Sequence, residues 1–293
     1  MEIIIADKAG FCFGVKRAIK TAYDTANETE GKVATIGPLI HNPQVVARLE
    51  EMNVHPVERF EDFHGETLVI RSHGVPPSVL EEARRKGVRL VDATCPFVKN
   101  AQDYASLLRE EGYQVVIVGD KDHPEVQGIM AYAGDSSRVV SDESDLADLE
   151  KVRKIGIIAQ TTTTLEKFKM VVGRCLEIAG ELKVFNTICD ATLIRQKEAQ
   201  TIAREVDLML VVGGKNSGNT TRLAELCQET GTPTFHIETS QELVAEWFKG
   251  VGKVGITAGA STPEWIIREI VNVLQHLPES GRTKTSAIRK RDK

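Results

Sequence analysis

The chain has 293 residues, 41% apolar, 27% charged and only 5% aromatic, with a formal net charge of -5. That is an ordinary globular composition, long enough for two or three cores, and its acidic balance excludes a non-specific nucleic-acid surface. No run approaches the ~18 apolar residues of a membrane span. The opening Glu2–Ala6 is too short for a secretory leader and lacks a basic flank, and five cysteines at wide spacings do not form a secreted disulfide framework. The expectation is a cytoplasmic protein with neither membrane nor nucleic acid as partner.

In chain order, Val- and Ile-rich runs of four to six residues alternate with amphipathic stretches, the pattern of parallel α/β units. Helices are expected over 43–52, 78–87, 101–112, 165–180, 221–231 and 263–277, several closing on glycine at Gly87, Gly112, Gly180 and Gly231. The polar, basic tail over 279–293 reads as disordered.

An internal threefold repeat runs through these elements. Its first tier is a cysteine where a short apolar strand runs into a helix: Cys12 in EIIIADKAGFCFGVKRA, Cys95 in VRLVDATCPFVKNAQ, Cys189 in LKVFNTICDATLIRQ. The second tier is a strand, a glycine and a polar residue four positions on: Gly37 and His41, Gly119 and His123, Gly213 and Ser217. The third is a strand ending in a polar residue: His73 in LVIRSHGVPP, Thr161 in GIIAQTTTT, Ser261 in GITAGASTP. First and second tiers are 29, 28 and 28 residues apart, and the third follows after 32, 38 and 44. All nine residues fall at carboxyl ends of expected parallel strands, where ligands bind in open sheets.

Separations of 83 and 94 residues between the cysteines are too wide for a local zinc finger or knuckle, so three similar units must bring them together. Three dispersed thiolates suggest a cubane iron–sulfur cluster with one iron free of protein ligands, available as a Lewis acid. The bland alternative is three structural cysteines, and a third reading is a non-enzymatic zinc module. Cys95-Pro96 looks like a helix start, where the dipole favours thiolate. Cys175 and Cys227 sit inside amphipathic helices and read as core.

His41, His73 and His123, with Ser217, Asn219 and Ser261, look like an anion cradle whose histidines charge when a phosphate raises their pKa. Asn42-Pro43 and Thr262-Pro263 read as helix caps followed by proline in the first turn. Taken singly, each histidine could equally be a satisfied loop residue; His55, His64 and His276 stand outside the grid. Glu125 is either a proton shuttle or an ordinary first-turn glutamate, and Thr161 is its plausible partner. GGKNSGNT lacks the Gly-Lys-Ser/Thr ending of a phosphate loop, and GFCFG has the wrong spacing for a dinucleotide fingerprint.

Over roughly residues 3–277 the chain resembles the 4-hydroxy-3-methylbut-2-enyl diphosphate reductase family of the non-mevalonate isoprenoid pathway. The resemblance rests on AGFCFGVKRA, GPLIHNPQVV, RSHGVPP, DATCPFV, HPEVQG, QTT, NTICDAT, GGKNSGN and AGAST. It implies an α/β fold of three similar units in a trefoil-like, pseudo-threefold arrangement around a central 4Fe-4S cluster held by Cys12, Cys95 and Cys189, observable as 3Fe-4S after loss of the open iron. The expected divisions are 13–94, 95–188, and 189–278 with 1–12. It further implies a diphosphate held by His41, His73, His123, Ser217, Asn219 and Ser261, with Glu125 delivering protons and Thr161 assisting. Gly218 stands where some relatives carry a serine, leaving its backbone N–H as the contact. The implied reaction is a two-electron reductive dehydroxylation fed by a ferredoxin- or flavodoxin-like donor. A quinolinate synthase-like dehydratase, also three units with three cysteines, is the rival enzyme.

Overall fold

The computed structural model describes residues 1–142, 144–146, 152–277 and 288–290. After β1 (Glu2–Ile5), one sequence of elements occurs three times: helix, strand, helix, strand, strand, helix, strand. The first pass is α1 (Phe13–Glu28), β2 (Val33–Ile36), α2 (Pro43–Glu51), β3 (Val54–Val57), β4 (Thr67–Ile70), α3 (Pro77–Arg85) and β5 (Arg89–Asp92). The second is α4 (Pro96–Glu110), β6 (Gln114–Val118), α5 (Pro124–Ala133), β7 (Arg138–Val140), β8 (Val152–Ala159), α6 (Leu165–Ile178) and β9 (Ala179–Val184). The third is α7 (Asp190–Ala203), β10 (Leu208–Val212), α8 (Gly218–Gln228), β11 (Thr234–Ile237), β12 (Lys253–Ala258) and α9 (Glu264–Gln275). In this third pass, no strand among the described residues after α9 takes the closing place beside β12.

β1 supplies that strand. The sheets run β3-β2-β4-β5, β7-β6-β8-β9 and β11-β10-β12-β1-β13, the last ending in β13 (Ile288–Lys290). β1 pairs with β12 (Glu2↔Lys253 to Ile5↔Ile256) as β5 pairs with β4 (Thr67↔Arg89) and β9 with β8, all in parallel. The fold is therefore α/β with three similar parallel-sheet units, as expected.

The chain divides into two compact units: Met1–Phe13, His41–Val45 and Ala191–Lys293 in one, Gly14–Ile40 and Val46–Asp190 in the other. In the first, alternate strand residues face opposite ways, as the pleat requires. Leu208, Leu210, Val212 and Ile256 pack under Ile266 and Ile270 of α9, while Met209 and Val211 pack under Ile202 of α7 and Leu223 of α8. Covering both faces explains why these strands are unbroken apolar runs rather than alternating ones. In the second unit, Val115, Ile117 and Ile158 lie under Ala105 and Leu108 of α4 and Val126 and Ile129 of α5. Leu210 and Leu108 are fully buried, and truncating either to alanine would cost about 2–5 kcal/mol.

Two local expectations change. Gly87, Gly112 and Gly231 adopt the left-handed conformation (φ 71°, 79° and 83°) that ends a helix. Gly180 does not: α6 stops at Ile178 and the chain passes directly into β9, with Gly180 inside the strand. The tail expected to be disordered contains β13, which pairs in parallel with β1 (Ile3↔Ile288); its other residues lie outside those described.

Candidate active-site residues

Each of the three cysteines is the residue immediately before a helix: Cys12 before α1, Cys95 before α4, Cys189 before α7. Cys95 is the N-cap of α4 and Pro96 its first helical residue, so the helix starts without losing a backbone donor. The three cysteines also make the same backbone hydrogen bond, to a turn that follows the neighbouring strand. Cys12 N–H donates to the Ala260 carbonyl (3.2 Å), Cys95 N–H to Ser72 (3.0 Å) and Cys189 N–H to Thr161 (3.0 Å). All three are half-buried, whereas Cys175 and Cys227 are fully buried in helices. Burial pushes the Cys175 thiol up to about 11 and the Cys227 thiol up to about 12, so these two are inert core residues.

That shared bond corrects the register of the third tier. Gly74 N–H donates to Arg71, Thr163 N–H to Gln160 and Thr262 N–H to Gly259, closing one turn in each sheet. Thr161 therefore corresponds to Ser72 and Ala260, and the counterpart of His73 and Ser261 is Thr162. The second tier shifts as well. His123 and Ser217 are N-caps of α5 and α8, accepting from Glu125 N–H and Thr220 N–H, whereas in the first sheet the cap is Asn42, which accepts from Val45 N–H at 3.0 Å. Two residues past each cap stand Gln44, Glu125 and Asn219. Thr262 is not a cap: Pro263 occupies that position and the Thr262 hydroxyl donates to the Val212 carbonyl.

The first unit carries Cys12, His41, Ser217, Gly218, Asn219 and Ser261. Ser261 Oγ donates to the His41 carbonyl at 2.9 Å. Gly214 lies against the same carbonyl, and a Cβ there would come within 2.8 Å of it. Gly218 opens α8, where backbone N–H groups have no intrahelical partner. Asn219 is 5% exposed, yet neither its Nδ2 nor its Oδ1 has a hydrogen-bond partner among the described residues. A buried carboxamide left in that state is costly unless a ligand completes it.

The second unit carries Cys95, Cys189, His73, His123, Glu125 and Thr161. The His73 and His123 rings meet edge to face, 5.5 Å between centroids. His123 Nδ1 accepts from Glu125 N–H at 3.1 Å, which puts the imidazole proton on Nε2. Burial pulls this imidazole down to about 4, the Asp120 carboxylate opposing and the Arg71 guanidinium reinforcing the shift. Burial thus holds His123 as a neutral donor, and the charge expected of it depends on a phosphate neighbour. Glu125 is 2% exposed and receives two bonds from Thr161, N–H to Oε1 at 2.6 Å and Oγ1 to Oε2 at 2.8 Å. Burial raises its pKa, and the two Thr161 bonds oppose the rise.

Arg71 was not singled out from the sequence. Its guanidinium is largely desolvated, which lowers its pKa, and it lies close enough to His123 to act on its titration. It sits two residues before His73 in RSHGVPP.

These features define a three-repeat α/β protein whose thiol and polar side chains follow the carboxyl ends of parallel strands. The LytB protein family model matches residues 3–275, and the chain belongs to that family. The 4-hydroxy-3-methylbut-2-enyl diphosphate reductase of Geobacter sulfurreducens is 54% identical over 275 residues, 94% of this chain and 97% of that protein. The reductase of Trichlorobacter lovleyi is 51% identical over 280 residues, 96% of this chain and all of its own. A solved structure of this reductase, described as the terminal enzyme of the non-mevalonate pathway, is 49% identical, covers 94% of this chain and 99% of its own, and superimposes with a TM-score of 0.70. The Plasmodium falciparum reductase structure is 27% identical with a TM-score of 0.92, over 99% of this chain and 92% of its own. The family match decides against the quinolinate synthase-like alternative.

Proposed function

We propose that this chain reduces 4-hydroxy-3-methylbut-2-enyl diphosphate to isopentenyl and dimethylallyl diphosphate. It is an oxidoreductase of the LytB family, and the relatives that match almost its whole length carry that reductase name. The conversion consumes two electrons and two protons and releases the hydroxyl oxygen as water. A one-electron donor of ferredoxin or flavodoxin type feeds it. No helix among the described residues is long and apolar enough to cross a membrane, and a cytoplasmic location suits thiols kept reduced.

Cys12, Cys95 and Cys189 would hold a 4Fe-4S cluster. Soft thiolate donors suit iron–sulfur ligation, and all three share one backbone setting at a helix start that the two core cysteines lack. When bound, such a cluster supplies electrons singly and a Lewis-acidic site for the departing oxygen.

The chain's own residues do the rest. Asn219 brings an uncommitted amide, Gly218 a helix-terminal N–H, Ser217 and Ser261 hydroxyls, and His41, His73 and His123 ring donors, a set that suits a diphosphate. Glu125 is the proton carrier: burial favours its neutral acid, and the Thr161 backbone N–H fixes the carboxyl plane through Oε1. The Thr161 hydroxyl can donate to Oε2 or accept from it, so it follows the carboxyl through both protonation states.

The buried Glu125–Thr161 pair, in a chain of this family, carries the reading most directly. Anaerobically reconstituted protein, given a one-electron reductant and the hydroxylated diphosphate, should release both C5 diphosphates. Absence of product from protein with a full iron complement would overturn it.

A further inference from the structure

Two arginines outside the groups above grip the backbone that leads into the cysteines. In the first unit, the segment Asp7–Gly10 runs from β1 towards Cys12. Arg195 of α7, only 3% exposed, donates from Nε to the Lys8 carbonyl at 3.0 Å and from Nη2 to the Gly10 carbonyl at 2.7 Å. On the same helix, Glu198 accepts the N–H groups of Asp7 (2.7 Å) and Lys8 (3.1 Å). One helix thus makes four hydrogen bonds to the approach to Cys12. In the second unit, Arg17 of α1 does the same to the approach to Cys95, donating to the carbonyls of Thr94 (2.8 Å) and Asp92 (3.1 Å). The approach to Cys189 is held differently, by the Thr187 hydroxyl on the Ala159 backbone and by Tyr104 of α4 stacked on Phe185 with centroids 4.0 Å apart.

Desolvating a guanidinium is costly, and a planar fork spent on two carbonyls of one short segment fixes that segment's direction as a single ammonium cannot. We propose that Arg195 and Arg17 are positioning residues for Cys12 and Cys95, holding each preceding segment in the conformation that presents its thiolate to the cluster. This rests on the reading that those cysteines are cluster ligands.

The test uses the full-length, anaerobically reconstituted protein in two separate incubations. In one, with an alkylating reagent, the initial rate at each cysteine is followed by peptide mass spectrometry; in the other, with an iron chelator, iron release is followed. Arg195→Gln should make Cys12 react about ten-fold faster while Cys95 keeps its rate, and Arg17→Gln should do the reverse. Iron release should quicken in both, and Arg195→Lys should fall between wild type and Arg195→Gln. Unchanged rates, or a rise shared equally by buried Cys175 and Cys227, would overturn the proposal, because neither is a local effect. Should Arg195→Gln fail to fold, Glu198→Ala loosens the same segment and must give the same Cys12-selective rise. Cys12→Ser run alongside separates the two questions: if it keeps its iron, the ligand assignment fails, whereas a missing selectivity in the arginine variants with iron lost from Cys12→Ser refutes only the positioning role.

Discussion

Thr161 donates to both oxygens of the Glu125 carboxylate, 2.6 Å from its N–H and 2.8 Å from its hydroxyl, inside a site where Glu125 is almost wholly buried. Burial raises the carboxyl pKa above 4.5 and the two bonds restrain it. A raised acid stabilises the fold fully below the ordinary carboxylate range, and that contribution is lost as pH rises through the folded value. Glu125→Gln, neutral at every pH, should remove this slope, so its melting temperature should gain on wild type as pH rises above 4.5. Its turnover should fall by about 10²–10⁴-fold with substrate binding kept, as for loss of a general acid.

Thr161→Val removes the hydroxyl bond and keeps the backbone one. The hydroxyl bond lowers the Glu125 pKa, so its loss should move the alkaline limb of the pH–rate profile to higher pH. Stability should drop by about 1–1.5 kcal/mol. A limb that moves to lower pH would contradict the assignment of Glu125 as the proton carrier.

His123 is depressed from 6.5 to about 4 by burial. The folded protein therefore binds fewer protons here than the unfolded chain, and this stability is full above 6.5 and drains as pH falls towards 4. The loss amounts to up to about 3 kcal/mol. In His123→Asn the side-chain oxygen still caps α5, so the helix should survive, the acid-side loss should shrink, and diphosphate affinity should fall. Chemical denaturation at several pH values reads the first two effects and calorimetry the third.

Asn219 makes no side-chain hydrogen bond among the described residues. Asn219→Ala should leave the melting temperature of the substrate-free protein unchanged or higher, yet weaken diphosphate binding about ten-fold. A loss of stability without any loss of binding would make Asn219 a structural residue instead.

Much of this was legible in the residues. Strand-to-cysteine junctions mark the three repeats, and β1 completing the third sheet follows from the first cysteine lying only seven residues beyond Ile5. The register of the third tier was not legible, because four consecutive threonines, Thr161–Thr164, follow β8 and residue type cannot tell them apart. Only the Cys189 N–H bond to Thr161 and the Thr163 N–H bond to Gln160 set the count. The extra residue between Gly37 and its helix cap sets Gln44 one place further along than Glu125, and only the cap's own bond, Asn42 accepting from Val45 N–H, makes the two equivalent. Arg17 and Arg195 leave no motif in the sequence, because their partners are backbone carbonyls distant along the chain.

Iron content per chain after anaerobic reconstitution, measured for wild type and for Cys12→Ser, Cys95→Ser, Cys189→Ser and Cys227→Ser, addresses the central claim most directly. The first three variants should lose most of their iron and the thiolate-to-iron absorbance, while Cys227→Ser, altered only in the core, should keep both. Equal iron in all four variants, or zinc in place of iron in the wild type, would contradict it.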